Sequence, residues 1–168
     1  MSSQPCILIP WLMLSMLAAG PGRAVEAGES PDGLWRDVDP DERSASKQDP
    51  WIQPEGGRLV ALDSSRLQSV LADAPREFSP RARIAPREIS LPLPDGSYGR
   101  FAVEVSPVMH PDLATKFPEI RTYIGRGIDD PAAAARFDWT AKGFHAQILS
   151  PSGRVFIDPA EKNRTRLY

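Results

Sequence analysis

Ile89–Val105 reads ISLPLPDGSYGRFAVEV, and this stretch decides the fold class. Ile89, Leu91 and Leu93 alternate with Glu88, Ser90 and Pro92. Phe101, Val103 and Val105 alternate on the far side of Pro94-Asp95-Gly96. Period-2 alternation either side of a Pro-Asp-Gly turn specifies a β-hairpin with one buried face. Downstream, Thr122–Gly125, Ala134–Thr140, Phe144–Ser150 and Arg154–Asp158 repeat the pattern, with turns at Lys142-Gly143 and Pro151-Ser152-Gly153. The last three strands read as an antiparallel meander. Its common layer takes Phe137 and Trp139, then Phe144, Ala146 and Ile148, then Val155 and Ile157.

Upstream, Arg58–Asp63 (RLVALD) reads as a short strand. Leu67, Val70, Leu71 and Ala74 then fall at i, i+3, i+4 and i+7, a helical stripe. Ser65 and Gln68 suggest a capping box, and Pro75 stops the helix. Pro111–Phe117 suits one or two helical turns, with His110 before it as a cap. The expected fold is α+β, mainly β: an antiparallel sheet or sandwich of about seven short strands with one packed helix.

Two segments precede this domain. Cys6–Ala19, CILIPWLMLSMLAA, is uncharged and shorter than the roughly 20 apolar residues that span a bilayer. With the V-x-A site Val25-Glu26-Ala27 it reads as a secretory signal peptide over residues 1–27, cut within 19–27. Cleavage would remove Cys6, the single cysteine of the chain, leaving no disulfide and no thiolate ligand. Residues 28–57 are dense in Asp, Glu, Pro, Ser and Gly and read as a flexible, disordered linker before a domain over 58–168. Trp35 and Trp51 stand out in it, either as docked or as exposed linker aromatics. No stable membrane insertion is expected after cleavage, and the product is expected to be secreted or extracytoplasmic.

The 168 residues allow one domain, and 18 prolines make long helices improbable. Twenty basic against 22 acidic side chains, a net charge of −2, provide no electrostatic reason for nucleic acid as a partner. Chemistry-bearing constellations are missing from the sequence. The two histidines, His110 and His145, are far apart and outside any H-E-x-x-H. There is no G-x-S-x-G elbow and no Gly-rich phosphate loop. Asp129-Asp130, with Asp138 and Asp158, could be drawn as a calcium site, but Asp129-Asp130-Pro131 has turn composition. Asn163-Arg164-Thr165 matches the N-glycosylation pattern. No catalytic residue, metal ligand or cofactor site is therefore assigned.

Five pieces in order carry a resemblance: Leu91–Gly96 (LPLPDG) before a Phe, Ser106–Met109 (SPVM), Phe117–Gly125 (FPEIRTYIG), Ile128–Pro131 (IDDP) and Gly143–Ala146 (GFHA). Together with the RLVALD and LQSVLADAP segments, the chain from Arg58 to Pro159 resembles the N-terminal pro-region of bacterial secreted reprolysin-like zinc metallopeptidases. The resemblance implies a β-rich pro-region followed by a zinc domain with H-E-x-x-H-x-x-G-x-x-H. This sequence stops at Tyr168 before any such motif, so it reads as a truncated precursor, a gene fragment or a stand-alone relic.

The implied role is non-catalytic: assisting the folding of a reprolysin-like catalytic domain or masking its cleft. Extended peptides can bind such clefts by strand addition. The contact segment expected from the resemblance is Phe117–Gly127, with Phe117, Glu119, Arg121 and Tyr123 as contact residues. For Tyr123 the alternative is a place in the core. The alternative for the whole chain is a stand-alone extracytoplasmic binding or inhibitor-like module.

Overall fold

The computed structural model describes residues 28–38, 57–160 and 166–168. The signal-peptide segment, Trp51 and Asn163-Arg164-Thr165 lie outside the described residues. Among those described, eight strands and three helices form a β-rich fold. A six-stranded antiparallel meander runs β3 (Arg87–Pro92), β4 (Tyr98–Val105), β5 (Arg121–Gly127), β6 (Ala134–Thr140), β7 (Gly143–Ser150) and β8 (Gly153–Ile157). β1 (Trp35–Asp37) and β2 (Val60–Leu62) form a separate antiparallel ribbon. The helices are α1 (Ser64–Ala72), α2 (Pro80–Ile84) and α3 (Pro111–Lys116).

Alternation along each strand sets the register. Ile89 lies opposite Phe101, Phe137 opposite Ala146, and Ala146 opposite Ile157. One face of the meander therefore gathers Phe101, Val103, Tyr123, Phe137, Ile148 and Ile157, all buried. Because side chains alternate across a strand, the intervening residues stand on the opposite face. Where glycines replace larger residues on the core face, Phe101 fills the room. A Cβ at Gly125 would lie 3.2 Å from Phe101 Cβ, and one at Gly99 would lie 3.3 Å from its ring.

α1 packs through Leu67 and Leu71, 0% and 2% exposed. Its N-cap is Asp63, two residues before the Ser65 of the expected capping box. The Asp63 carboxylate accepts the Arg66 N–H at 3.0 Å, satisfying a backbone donor that the helix leaves open. α3 is capped by His110, as its position before Pro111 suggests. α2 falls in a Pro/Arg-rich stretch with no helical stripe, but Ser79 as N-cap and Pro80 in the first turn provide a local start signal.

The chain before residue 58 corrects the linker boundary. Residues 28–38 belong to the folded domain: Leu34 and Trp35 are each 1% exposed, and Trp35 pairs with Leu62. Polar residues tie the segment down. Asp32 accepts the Ser90 N–H at 2.6 Å, and the Trp35 indole N–H donates to the Ser90 carbonyl at 2.9 Å. Both backbone groups of Ser90 on the outer edge of β3 are thus engaged, which protects an otherwise exposed sheet edge. Arg58 completes the seam, donating to Asp37 at 2.6 Å and lying 4.4 Å from the Tyr98 ring centre. An Asp- and Pro-rich composition reads as solvated, yet here those carboxylates are hydrogen-bond acceptors for the sheet.

Tyr168 docks on the other side of β2, exchanging both backbone hydrogen bonds with Val60 at 2.8 and 2.9 Å. Its hydroxyl accepts the Phe144 N–H at 3.0 Å. Burial raises the Tyr168 phenol above its ordinary pKa, partly offset by that hydrogen bond. The ring meets Trp35 edge-on at 5.5 Å, and Trp35 meets Phe144 at 5.7 Å. Phe144 reaches Phe137 at 5.4 Å, and Phe137 stacks on Tyr123 at 5.2 Å. A continuous line of five aromatic rings therefore joins the ribbon to the middle of the meander.

One glycine is required for space. A Cβ at Gly127 would lie 2.0 Å from the backbone carbonyl oxygen of Asp130, in the tight turn where Gly127 N–H also bonds Ala133. Backbone cannot step aside as a side chain can. Gly127→Ala is expected to cost about 1–3 kcal/mol, read as a lower denaturation midpoint at unchanged slope. A neutral result would mean the 127–133 turn is differently built.

Candidate functional site

Two depressions are candidates. The first lies between α1 and the start of β5. Gln68 and Leu71 of α1 face Glu119, Arg121, Tyr123 and Trp139 across a volume of about 340 Å³. Three of the four residues expected to contact a partner thus line one depression. Glu119, Arg121 and Phe117 are exposed. Tyr123 is 4% exposed and stacked on Phe137, so its ring belongs to the core. Burial raises its phenol pKa, while the charge and hydrogen bond of Arg121 pull the other way. β5 is paired on both sides, with β4 and β6. Strand addition through Phe117–Gly127 is therefore closed, because no unpaired backbone edge remains on its β5 part.

The second depression lies on the opposite face of the meander and also measures about 340 Å³. Its floor is a single row of polar residues taken from consecutive strands. The Ser106 N–H donates to the Thr122 carbonyl at 3.0 Å, and the Thr122 hydroxyl donates to the Ser106 carbonyl at 2.5 Å. Thr122 lies opposite Asp138, and Asp138 opposite His145. One step beyond the Ala146–Ile157 pair, His145 meets Asp158, with Nδ1 2.8 Å from Oδ1. The ring nitrogen donates to the carboxylate. Burial holds the Asp138 carboxyl above the ordinary carboxylate range; His145 opposes this and Asp158 adds to it.

Ser, His and Asp on one surface invite comparison with a hydrolase triad, and the register answers it. Adjacent strands are about 4.8 Å apart, so three steps separate Ser106 from His145 by about 14 Å. A serine and a histidine side chain cannot share a proton across that span. Among the described residues there is no group of three or more His, Cys, Asp or Glu arranged to hold a metal ion.

The two halves of the imagined calcium site are apart in role. Asp129 takes the Arg100 guanidinium at 2.7 Å, which lowers its pKa. Asp130 accepts the Ala132 N–H at 3.0 Å and shapes the turn. Asp138 and Asp158 belong to the row instead.

The row escapes sequence reading because its members are contributed by separate strands and meet only through register. A faint local signal exists. Asp138 sits between Phe137 and Trp139, and His145 between Phe144 and Ala146, so each must face away from the core. Comparisons with family models, curated proteins and solved structures found no match for this chain.

Proposed function

We propose that this chain is an exported, non-catalytic module resembling the pro-region of a reprolysin-like metallopeptidase precursor. In this reading it assists the folding of the peptidase or masks its cleft. The observation that supports the reading is the depression beside α1. The most family-like stretch, Phe117–Gly127, delivers Glu119 and Arg121 to it, next to the half-buried Trp139 and close in sequence to exposed Phe117. An aromatic beside an arginine is the pairing from which interface anchors are most often drawn. Contact is by side chains, since β5 has no edge to offer. Ser106 and His145, roughly 14 Å apart by strand spacing, do not form a serine–histidine proton-transfer pair. The second reading, a stand-alone extracytoplasmic binding or inhibitor-like module, draws on the polar row of the opposite face.

The test is inhibition of a purified reprolysin-like catalytic domain from the same source, with the module added in trans. Arg121→Ala and Glu119→Ala are expected to weaken inhibition about tenfold while melting at the wild-type temperature. Tyr123→Ala should lower the melting temperature. If the wild-type module neither binds the peptidase nor slows it, the reading fails.

A further inference from the structure

The polar row on the outer face is a different site from the depression beside α1. Two carboxylates, Asp138 and Asp158, line it against one guanidinium, Arg136, with His145 between the carboxylates. Arg136 lies opposite Gln147 in the neighbouring row and makes no ion pair among the described residues. The Asp138 carboxylate accepts no hydrogen bond from them either. Its elevated pKa means that burial penalises the charged form, so the ionised group lowers stability at neutral pH. A part-buried carboxylate without a hydrogen bond, third of the five residues in the row from Ser106 to Asp158 and lining a depression, is placed to receive a cationic ligand.

Ser106 is a second, independent observation. The residue is 7% exposed and lines the depression, and its hydroxyl makes no hydrogen bond among the described residues. Ser106 and Asp138 are two strand steps apart, about 10 Å, the reach of a long side chain plus its own backbone N–H. Phe156 and Val108, 62% and 66% exposed, line the same depression and offer apolar surface to an alkyl stem. A cation can also lie over the Phe156 ring.

We propose that the outer-face depression is a binding site for a cationic side chain, arginine or lysine, carried by a polypeptide partner. Asp138 receives the charge, Phe156 and Val108 flank the stem, and Ser106 accepts a backbone N–H of the bound residue. The titratable and charged groups facing Asp138 across the depression are His145, Asp158 and Arg136. Acid weakens binding by protonating Asp138, whose carboxyl is held above the ordinary carboxylate range by burial.

The experiment is an NMR titration of the full chain at neutral pH with N-acetyl-arginine amide and N-acetyl-lysine amide. The neutral isostere N-acetyl-citrulline amide and the acidic N-acetyl-glutamate amide serve as controls. Saturable shifts at Asp138, His145 and Ser106 are expected for the two cations, with both controls weaker by about tenfold or more. Asp138→Asn should weaken arginine binding by a similar factor. Its melting temperature at neutral pH should be unchanged or higher, because a group with a raised folded pKa destabilises the fold once ionised. Ser106→Ala should weaken binding by a smaller factor. No saturable shift with either cation, equal binding of citrulline, or wild-type affinity in Asp138→Asn would each overturn the proposal. So would a lowered melting temperature for Asp138→Asn, which would make Asp138 a structural residue.

Discussion

Trp35→Ala is expected to lower the unfolding free energy by about 3–5 kcal/mol, the largest effect of any single change discussed. The indole is 1% exposed and touches two other rings, Phe144 and Tyr168. Its removal opens a cavity at the junction of ribbon and meander. The Ser90 carbonyl, in a residue 2% exposed, loses its indole donor, and an unsatisfied buried acceptor adds about 1–3 kcal/mol. Against a typical domain stability of about 5–15 kcal/mol, the variant should be marginal. Trp35→Phe keeps most of the ring contact and should fall between wild type and alanine. Chemical denaturation measures both. A midpoint for Trp35→Ala within experimental error of wild type would mean that residues 28–38 do not dock.

Phe101→Ala should cost a similar amount, about 3–5 kcal/mol, for a different reason. Phe101 is 2% exposed, opposite Ile89 on one side and Gly127 on the other. With Gly99 and Gly125 also against it, its side chain occupies the space that these two glycines leave. Ser97→Ala, four residues away in the exposed turn, removes only a hydrogen bond to Asp95 and should stay within about 0.5 kcal/mol. Equal losses from the two changes would show that the hairpin register is wrong.

The hairpin and the C-terminal meander were legible because a strand writes its own pattern. The expected strand Ala134–Thr140 is β6 residue for residue, β7 begins one residue earlier than expected, and β8 is shifted by one residue at each end. Of the common layer named from alternation, Phe137, Phe144, Ala146, Ile148 and Ile157 are buried, and Trp139 and Val155 pack partly buried against them. Two helices were also visible, through the Leu67–Leu71 stripe and through Pro111. α2 was missed because five residues are too few to show a period of 3.6. β1 was missed because three residues cannot show alternation, and the Asp, Pro and Gly around them imitate a linker.

The sites divide in the same way. Glu119 and Arg121 could be picked out from their sequence segment, and they do face one depression. Tyr123 lies at a core parity position, where its size and the stacking partner Phe137 draw it inward. The row from Ser106 to Asp158 spans 53 residues of chain and no local motif joins its members.

Local periodicity and turn chemistry in the sequence by themselves determined a β-rich, mainly antiparallel domain and which side chains face inward. Those properties repeat every two residues and need no distant partner. Only the tertiary structure decided that Trp35 and Tyr168 close the core and that Asp138, His145 and Asp158 share a surface. Burial of a three-residue strand and alignment across separate strands depend on non-local register. That register is set by the packing of the whole sheet and by no single segment within it.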